Sequence, residues 1–205
     1  MYHAVCSFIP SPSTIKLAIT STIISHFKNV ETGKEVFEKI KTSSVRVKPP
    51  HRLVVYKAFI RRLKKKRSMR GFEKTFAIRE YSIFEGSIKV YIDVLPDVKD
   101  KISLGLKKIR YIGSSDSLCY CLGEISEEEP EQEKVARPYD EKEVIKGENV
   151  ILQLTDFTDE VTFNKINPYN KKEKPKLGKD IKLVPHILPL KIMKRGENYT
   201  IYELI

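Results

Sequence analysis

The amino-acid sequence predicts an α+β fold, and three observations support it. Two apolar stripes with helical spacing, one before residue 30 and one after residue 96, flank runs with the alternation of β-strands. A further β-rich stretch follows residue 148. With 205 residues and a hydrophobic fraction of 40%, the chain suits one domain with elaborations and can bury a substantial core.

The first predicted helix starts at Ser11, a favourable N-cap, because Pro12 then occupies the first helical position, where a missing N–H costs nothing. Apolar side chains recur at helical spacing at Ile15, Ala18, Ile19, Ile23 and Phe27. A helix this apolar is expected to be largely buried against a sheet. A second, shorter helical segment is predicted for residues 34–41, after Gly33.

Three strands follow, because Pro49-Pro50 breaks the chain and apolar alternation begins after it. The predicted strands are residues 52–63, 75–83 and 88–94. Residues 64–71, mostly Lys and Arg, form the tip of a long basic hairpin or loop between the first two strands.

Pro96-Asp97 opens another predicted helix, and a strand is predicted for residues 118–125. Helix, paired strands, helix and strand make up most of a ferredoxin-like β-α-β-β-α-β unit. Residues 2–8 are the segment available for its first strand.

Domain boundaries follow from changes in composition. Residues 1–125 form the predicted core domain. Residues 126–147 form an acidic loop or linker, since residues 126–143 hold eight acids against three bases. Residues 148–205 form a β-rich C-terminal elaboration, with strands predicted at 149–157, 161–166, 181–190 and 199–205.

The positive charge of the chain is concentrated in residues 45–79. This stretch holds thirteen Lys and Arg residues against one acid, a net charge of +12, whereas the whole chain carries +11. Such a stretch favours polyanions, because phosphate contacts release condensed counterions. Aromatic residues that could stack on unpaired bases are interleaved with it: Tyr56, Phe59, Phe72, Phe76 and Tyr81. A solvated basic loop is the alternative interpretation.

Several classes of protein are disfavoured. No run of about 18 apolar residues exists, and residues 1–9 do not resemble a signal peptide. The three cysteines, Cys6, Cys119 and Cys121, do not form a disulfide framework or a zinc site. We therefore expect a cytoplasmic protein with no membrane association, metal or cofactor. The high charged content with only two Gln is typical of proteins from hot environments.

Two segments are candidate phosphate sites. Residues 9–16 place hydroxyls and free backbone N–H groups at a helix start, although plain capping is favoured on spacing alone. Residues 113–117, a Gly with three serines, could wrap a phosphate or form an ordinary turn. Neither segment is a Walker A loop, so nucleotide hydrolysis has no support.

Two motifs in a fixed order resemble the CRISPR-associated family five proteins of the RAMP superfamily. Ile9-Pro10-Ser11-Pro12-Ser13-Thr14-Ile15-Lys16 is similar to the Pro- and Ser-rich helix start of that family. Residues 109–118 are similar to its hydrophobic, Gly and Ser-rich segment, and the basic insertion lies between the two. The resemblance covers roughly residues 1–125.

The resemblance implies an RNA recognition motif-like ferredoxin domain in a type I Cascade complex. Such a subunit holds the 5′ handle of CRISPR RNA (crRNA) and packs a thumb, here residues 61–74, on the neighbouring backbone subunit. Implied partners are crRNA and the Cascade backbone and large subunits, with target DNA near the PAM-proximal end as a further candidate. The RNA-binding candidates are Ser11, Ser13, Thr14, Lys16, Arg46, Lys48, His51, Arg52, Arg61, Arg62, Lys64, Lys65, Lys66, Arg67, Arg70, Lys74, Gly113, Ser114 and Ser115.

Catalysis is not implied by this resemblance in general. Some members cut precursor RNA with a Tyr and adjacent Lys and His, but no Lys-His pair occurs here. We expect a non-catalytic binder. Two alternatives stay open: a metal-independent endoribonuclease that uses His51 and Tyr56 as acid and base, and a free-standing RNA-binding protein.

Overall fold

Helices and strands are mixed along the chain, in agreement with the predicted α+β class. The computed structural model describes residues 2–4, 7–66, 70–114, 117–123, 125–140, 142 and 148–205. The helices are α1 (Pro12–Phe27), α2 (Val30–Ile40), α3 (Lys99–Lys107) and α4 (Phe163–Ile166). The strands are β1 (Tyr2–Ala4), β2 (Val45–Lys48), β3 (Arg52–Lys65), β4 (Phe72–Glu85), β5 (Lys89–Ile92), β6 (Arg137–Pro138), β7 (Val150–Phe157), β8 (Ile181–Leu188), β9 (Leu190–Arg195) and β10 (Tyr199–Leu204).

The described strands form three sheets. The largest has the order β1-β4-β3-β10-β9, with β1 parallel to β4 and the other neighbours antiparallel. Strands β2 and β5 form a two-stranded sheet, and β6-β8-β7 form the third. The predicted basic hairpin is confirmed as β3 and β4, and both strands extend further towards the tip than the sequence indicated.

Helix α1 begins and ends where local chemistry requires. Ser11 is extended before Pro12, and Lys28 ends the helix in the left-handed conformation with φ 51°. The helix packs against α2, α3 and β7, so the expected burial against a sheet is met by the three-stranded sheet. Ile15, Ile19 and Ile23 are each at most 1% exposed.

Helix α2 starts earlier than the sequence indicated. Asn29 caps it by accepting the backbone N–H of Glu31, which places Gly33 inside the helix. A Cβ atom at Gly33 would lie 2.1 Å from Cγ1 of Ile24. The glycine therefore allows α1 and α2 to approach closely rather than marking a helix start.

A single core cluster joins the first 125 residues to the C-terminal strands. It includes Ile19 of α1, Leu53 of β3, Leu154 of β7 and Leu188 of β8, each at most 1% exposed. A smaller cluster places Phe37 of α2 against residues of the β7–α4 region, namely Phe157, Val161 and Phe163. The hairpin base is therefore fixed to both halves of the chain.

Two strand predictions are wrong. In the described part of residues 118–125 no strand forms, and Leu118 makes only an isolated bridge with Tyr111. The alternation there lacks a partner strand, so Leu118 and Tyr120 are each 79% exposed. Residues 161–166 include α4, where the backbone N–H of Phe163 bonds to Glu38, and β7 pairs with β8 instead.

Candidate nucleic-acid interface

The β3–β4 hairpin projects the basic stretch away from the core. Its register pairs Arg52 with Glu85 at the base and Lys65 with Phe72 near the tip. Fourteen residues per strand span about 45 Å at the usual rise of a β-strand. Leu53 is fully buried, whereas every residue from Arg61 to Lys66 is exposed. The outer hairpin thus carries its charge into solvent.

The two faces of the hairpin differ because side chains alternate along each strand. One face continues the buried side of Leu53 outward, and its outer part combines exposed apolar and cationic residues. Phe59 and Phe76, 63% and 50% exposed, stack with ring centroids 5.4 Å apart. We call the part beyond Lys57 the aromatic face; it consists of Phe59, Arg61, Leu63, Lys65, Phe72, Lys74, Phe76 and Ile78, and the pair Lys57 and Glu80 marks its inner end.

The opposite face of the hairpin is organised by a tyrosine pair. Tyr56 and Tyr81 face each other in the register and stack at 5.8 Å. Arg62 and Lys64 share this face further out. The sequence identified the interleaved aromatic residues but did not assign them to two faces, and it missed Leu63 on the aromatic face. The two-residue period of a β-strand would have been enough to assign each of these side chains to one face of the hairpin.

Several of the outer cations form no internal ion pair among the described residues. In the part of the chain that the structure describes, no ion pair joins an acid to the following residues: Arg61, Lys64, Lys65, Lys66, Arg70 and Lys74. Arg67 lies outside the described residues. One edge of β3 pairs with β4. On the other edge, β10 pairs with residues 52–56, and beyond Lys57 this edge has no partner among the described strands. Within the described part of the chain, these cations and this strand edge are both available to a partner.

The basic residues at the hairpin base have internal partners. Arg52 forms ion pairs with Glu203 at 2.8 Å and Glu85 at 3.2 Å. The hydrogen bond to Glu203 raises the pKa of Arg52, and the same bond lowers the pKa of Glu203. Arg46 donates to Gln132, and Lys48 pairs with Glu131. These three predicted RNA contacts are engaged within the protein.

Lys16, which the sequence placed among the RNA contacts, is buried inside the protein. Its side chain is fully buried, and Nζ donates to Oδ1 of Asp156 at 2.7 Å and to the carbonyl of Lys41 at 2.8 Å. Burial lowers the pKa of Lys16, and the bond to Asp156 opposes that shift. A side chain with no exposed surface and two internal acceptors is not placed to contact RNA.

The serines of the helix start also contact β7. The Oγ of Ser13, a 6% exposed residue, lies 2.7 Å from Oγ1 of Thr155. The Oγ of Ser11 accepts the backbone N–H of Thr155 at 3.3 Å. These contacts fix α1 to the three-stranded sheet.

Thr14 and the Gly113 loop are brought together. A Cβ atom at Gly113 would lie 3.4 Å from Cγ2 of Thr14, and the glycine has φ 89°. The loop is closed by bonds between Ser114 and Ser117, whose hydroxyls lie 3.2 Å apart. Ser115 lies outside the described residues. The two segments singled out in the sequence, some 100 residues apart, are therefore adjacent.

His51 lines a cleft of about 250 Å³ at the hairpin base, together with Lys48, Pro49, Gly86, Ser87, Lys89 and Leu204. Tyr56 lies further along β3 and stacks on Tyr81. Five residues of extended chain separate two Cα atoms by about 16 Å, so His51 and Tyr56 do not converge on one phosphate. The structure does not assemble this pair as an acid and base.

The described residues bear on metal ligation and on membrane-spanning helices. Among those residues, no group of three His, Cys, Asp or Glu side chains is arranged to hold a metal ion. None of the helices in the described ranges is long and apolar enough to cross a membrane.

Comparison with known proteins identifies a family. No protein-family model matches the chain. The chain is 31% identical over 205 residues to a curated protein of Archaeoglobus fulgidus described as CRISPR-associated protein Cas5, and the match covers 96% of this chain and 86% of the relative. Identity at this level over nearly the full length of both proteins shows common descent. The chain belongs to the Cas5 family of CRISPR-associated proteins.

Proposed function

We propose that this Cas5-family protein is a non-catalytic RNA-binding subunit of a type I Cascade complex that grips the 5′ handle of crRNA. One observation supports the proposal above all: the outer hairpin presents several cations that form no ion pair among the described residues, beside exposed, stacked aromatic rings. Single-stranded RNA is bound by this combination, because cations follow the phosphates while aromatic faces receive unpaired bases.

The binding mechanism divides between charge and shape. Lys64, Lys65 and Lys66 neutralise handle phosphates, which supplies affinity with a strong dependence on salt. Thr14 and the loop at Gly113 offer backbone donors at the start of a 16-residue helix, where orphan N–H groups favour an anion. These donors fix the position of the 5′ end, while the cations provide most of the affinity.

The same hairpin serves as the thumb that packs on the neighbouring backbone subunit. Phe59, Leu63 and Phe72 are between 63% and 68% exposed on one face, an apolar surface that a lone chain leaves in water. The backbone subunit covers part of this face, and the large subunit is a further partner. Target DNA near the PAM-proximal end is a further candidate ligand for the outer cations.

A ferredoxin-like core is supported by three neighbouring strands. The parallel β1–β4 pair and the antiparallel β4–β3 pair have the order expected for the first, third and second strands of that unit. Helices α1 and α2 and strand β2 lie between β1 and β3 in the chain. The strand predicted at residues 118–125 does not complete the unit on the other side of β1.

Co-purification from the native host, followed by sequencing of bound RNA, tests this function. CRISPR RNAs that share one 5′ handle, recovered together with Cascade subunits, are the expected result. Protein that is recovered alone, or with mixed cellular RNA, would overturn the Cascade assignment and favour a free-standing RNA binder.

A further inference from the structure

An acidic segment folds back over the small β2–β5 sheet. Residues 127–132, which we call the acidic strap, hold four glutamates within six positions. Three of these glutamates and Gln132 contact cations on or beside the sheet. The contacts are Glu127 with Lys99, Glu128 with Lys89 at 3.3 Å, Glu131 with Lys48 at 3.4 Å, and Gln132 with Arg46 at 2.7 Å.

One end of the strap is anchored to the β2–β5 sheet. Val135 and Ala136, 1% and 2% exposed, follow it, and the N–H of Ala136 bonds to the carbonyl of Val47 at 2.8 Å. Among the described residues, the backbone bond to a strap residue comes from the N–H of Lys134, just beyond the strap, to the carbonyl of Glu131, and not from the sheet. Side-chain ion pairs, rather than a strand ladder, therefore hold residues 127–132 on the sheet.

These ion pairs are the kind that exchange readily. The side chains of Glu127, Glu128 and Glu131 are 81%, 48% and 60% exposed. Exposed pairs are screened by salt and each contributes little to stability. A phosphate chain offers a charged oxygen at every nucleotide and can replace the strap's carboxylates on the same lysines.

A cleft lies where the paired lysines meet. Lys48, Lys89 and His51 all line the cleft of about 250 Å³. The cleft adjoins the base of the basic hairpin, because His51 directly precedes β3. The cleft and the outer cations therefore lie at opposite ends of the same hairpin.

We propose that the β2–β5 face, centred on Lys48 and Lys89, is a second binding site for nucleic-acid phosphates and that the acidic strap occupies it as an internal phosphate mimic. RNA that reaches the site displaces the strap. The strap thereby weakens binding of arbitrary RNA, since each such ligand must first break the internal pairs. The inference rests on the proposed function in one respect, that the ligand is RNA.

The test compares two variants with the same change of charge. The strap variant carries Glu127→Gln, Glu128→Gln and Glu131→Gln, and the control carries Glu31→Gln, Glu160→Gln and Glu197→Gln, three exposed residues remote from the strap in sequence. The probe is a fluorescent 20-nucleotide oligouridylate, titrated at several salt concentrations. We expect the strap variant to bind roughly tenfold more tightly than the control, because about three weak pairs no longer compete.

A second set of variants locates the effect. Adding Lys48→Gln and Lys89→Gln to the strap variant should remove the gain, and the salt slope should fall by about 0.7 for each phosphate that is no longer neutralised. If the strap and control variants bind the probe with equal affinity, and the wild-type protein binds it too, the role of the strap as a phosphate mimic is overturned while the proposed RNA-binding function stands. No binding by any of the proteins overturns this inference together with the proposed function.

Discussion

Nζ of Lys16 lies 2.7 Å from Oδ1 of Asp156, in an ion pair that joins the first turns of α1 to the end of β7. The lysine is fully buried and the carboxylate side chain is 19% exposed. Asp156 also accepts the backbone N–H of Phe157, and Lys16 also donates to the carbonyl of Lys41. The pair thus fixes the helix start against the sheet and satisfies both charges.

Replacing Asp156 with Ala should destabilise the protein by on the order of 3 kcal/mol, because it leaves the buried ammonium of Lys16 without its counter-charge. Urea unfolding followed by circular dichroism measures the change, and the corresponding loss in Tm is roughly 6–12 °C. Lys34→Met is the control, since its exposed pair with Glu31 contributes less than about 1 kcal/mol. Equal losses in the two variants would show that burial of Lys16 does not matter.

Stability should also fall on mild acidification because of His186. This residue is 5% exposed, and burial lowers its pKa below 6.5, with the bond to the carbonyl of Val184 opposing the shift. Below pH 6.5 the unfolded chain binds a proton that the folded protein resists, so stability decreases as pH falls from 6.5 towards the folded-state pKa. The slope contributed by this group is at most about 1.4 kcal/mol per pH unit.

The measurement for His186 is urea unfolding at pH values from roughly 8 down to roughly 5.5, a range that spans the ordinary histidine pKa. His186→Phe should reduce the slope of unfolding free energy against pH in this window. At the alkaline end, it should shift the unfolding free energy by an amount that does not depend on pH. If His186→Phe keeps the wild-type slope of unfolding free energy against pH, other titratable groups cause the acid sensitivity.

The sequence predicted the elements whose signal is local. The long hairpin follows from strand alternation around a basic tip, and α1 follows from Ser11, Pro12 and an apolar stripe. The position of Lys16 could not be predicted, because its partner lies 140 residues away. The strand expected at residues 118–125 has the correct alternation, but pairing is decided by tertiary contacts. The charges of residues 127–132 were visible, while the lysines they contact were not.

Removing the tip lysines should weaken RNA binding and flatten its salt dependence. The variant carries Lys64→Ala, Lys65→Ala and Lys66→Ala. Each phosphate that these lysines no longer neutralise should reduce the slope of log K against log salt by about 0.7. Fluorescence anisotropy with handle-containing RNA, at salt concentrations from roughly 50 to roughly 300 mM, measures the slope.

The matched control for the tip lysines is Lys171→Ala, Lys172→Ala and Lys174→Ala, which removes the same charge from another exposed loop. A control that flattens the slope equally would show that net charge, rather than the hairpin, governs binding. An unchanged slope in the tip variant would remove these lysines from the interface.

Polar substitution of the aromatic face should abolish assembly with the neighbouring backbone subunit while leaving the fold intact. Phe59→Ser and Phe76→Ser remove a stacked pair that is already half exposed or more, so the loss in unfolding free energy should be limited to about 1.5 kcal/mol for the ring pair plus the partial burial of each ring. Ile83→Ser is the control, since Ile83 is 60% exposed on the opposite face. Size-exclusion chromatography of the co-expressed subunits measures assembly. If the control dissociates the complex and the aromatic variant does not, the neighbouring subunit packs on the tyrosine face of the hairpin instead.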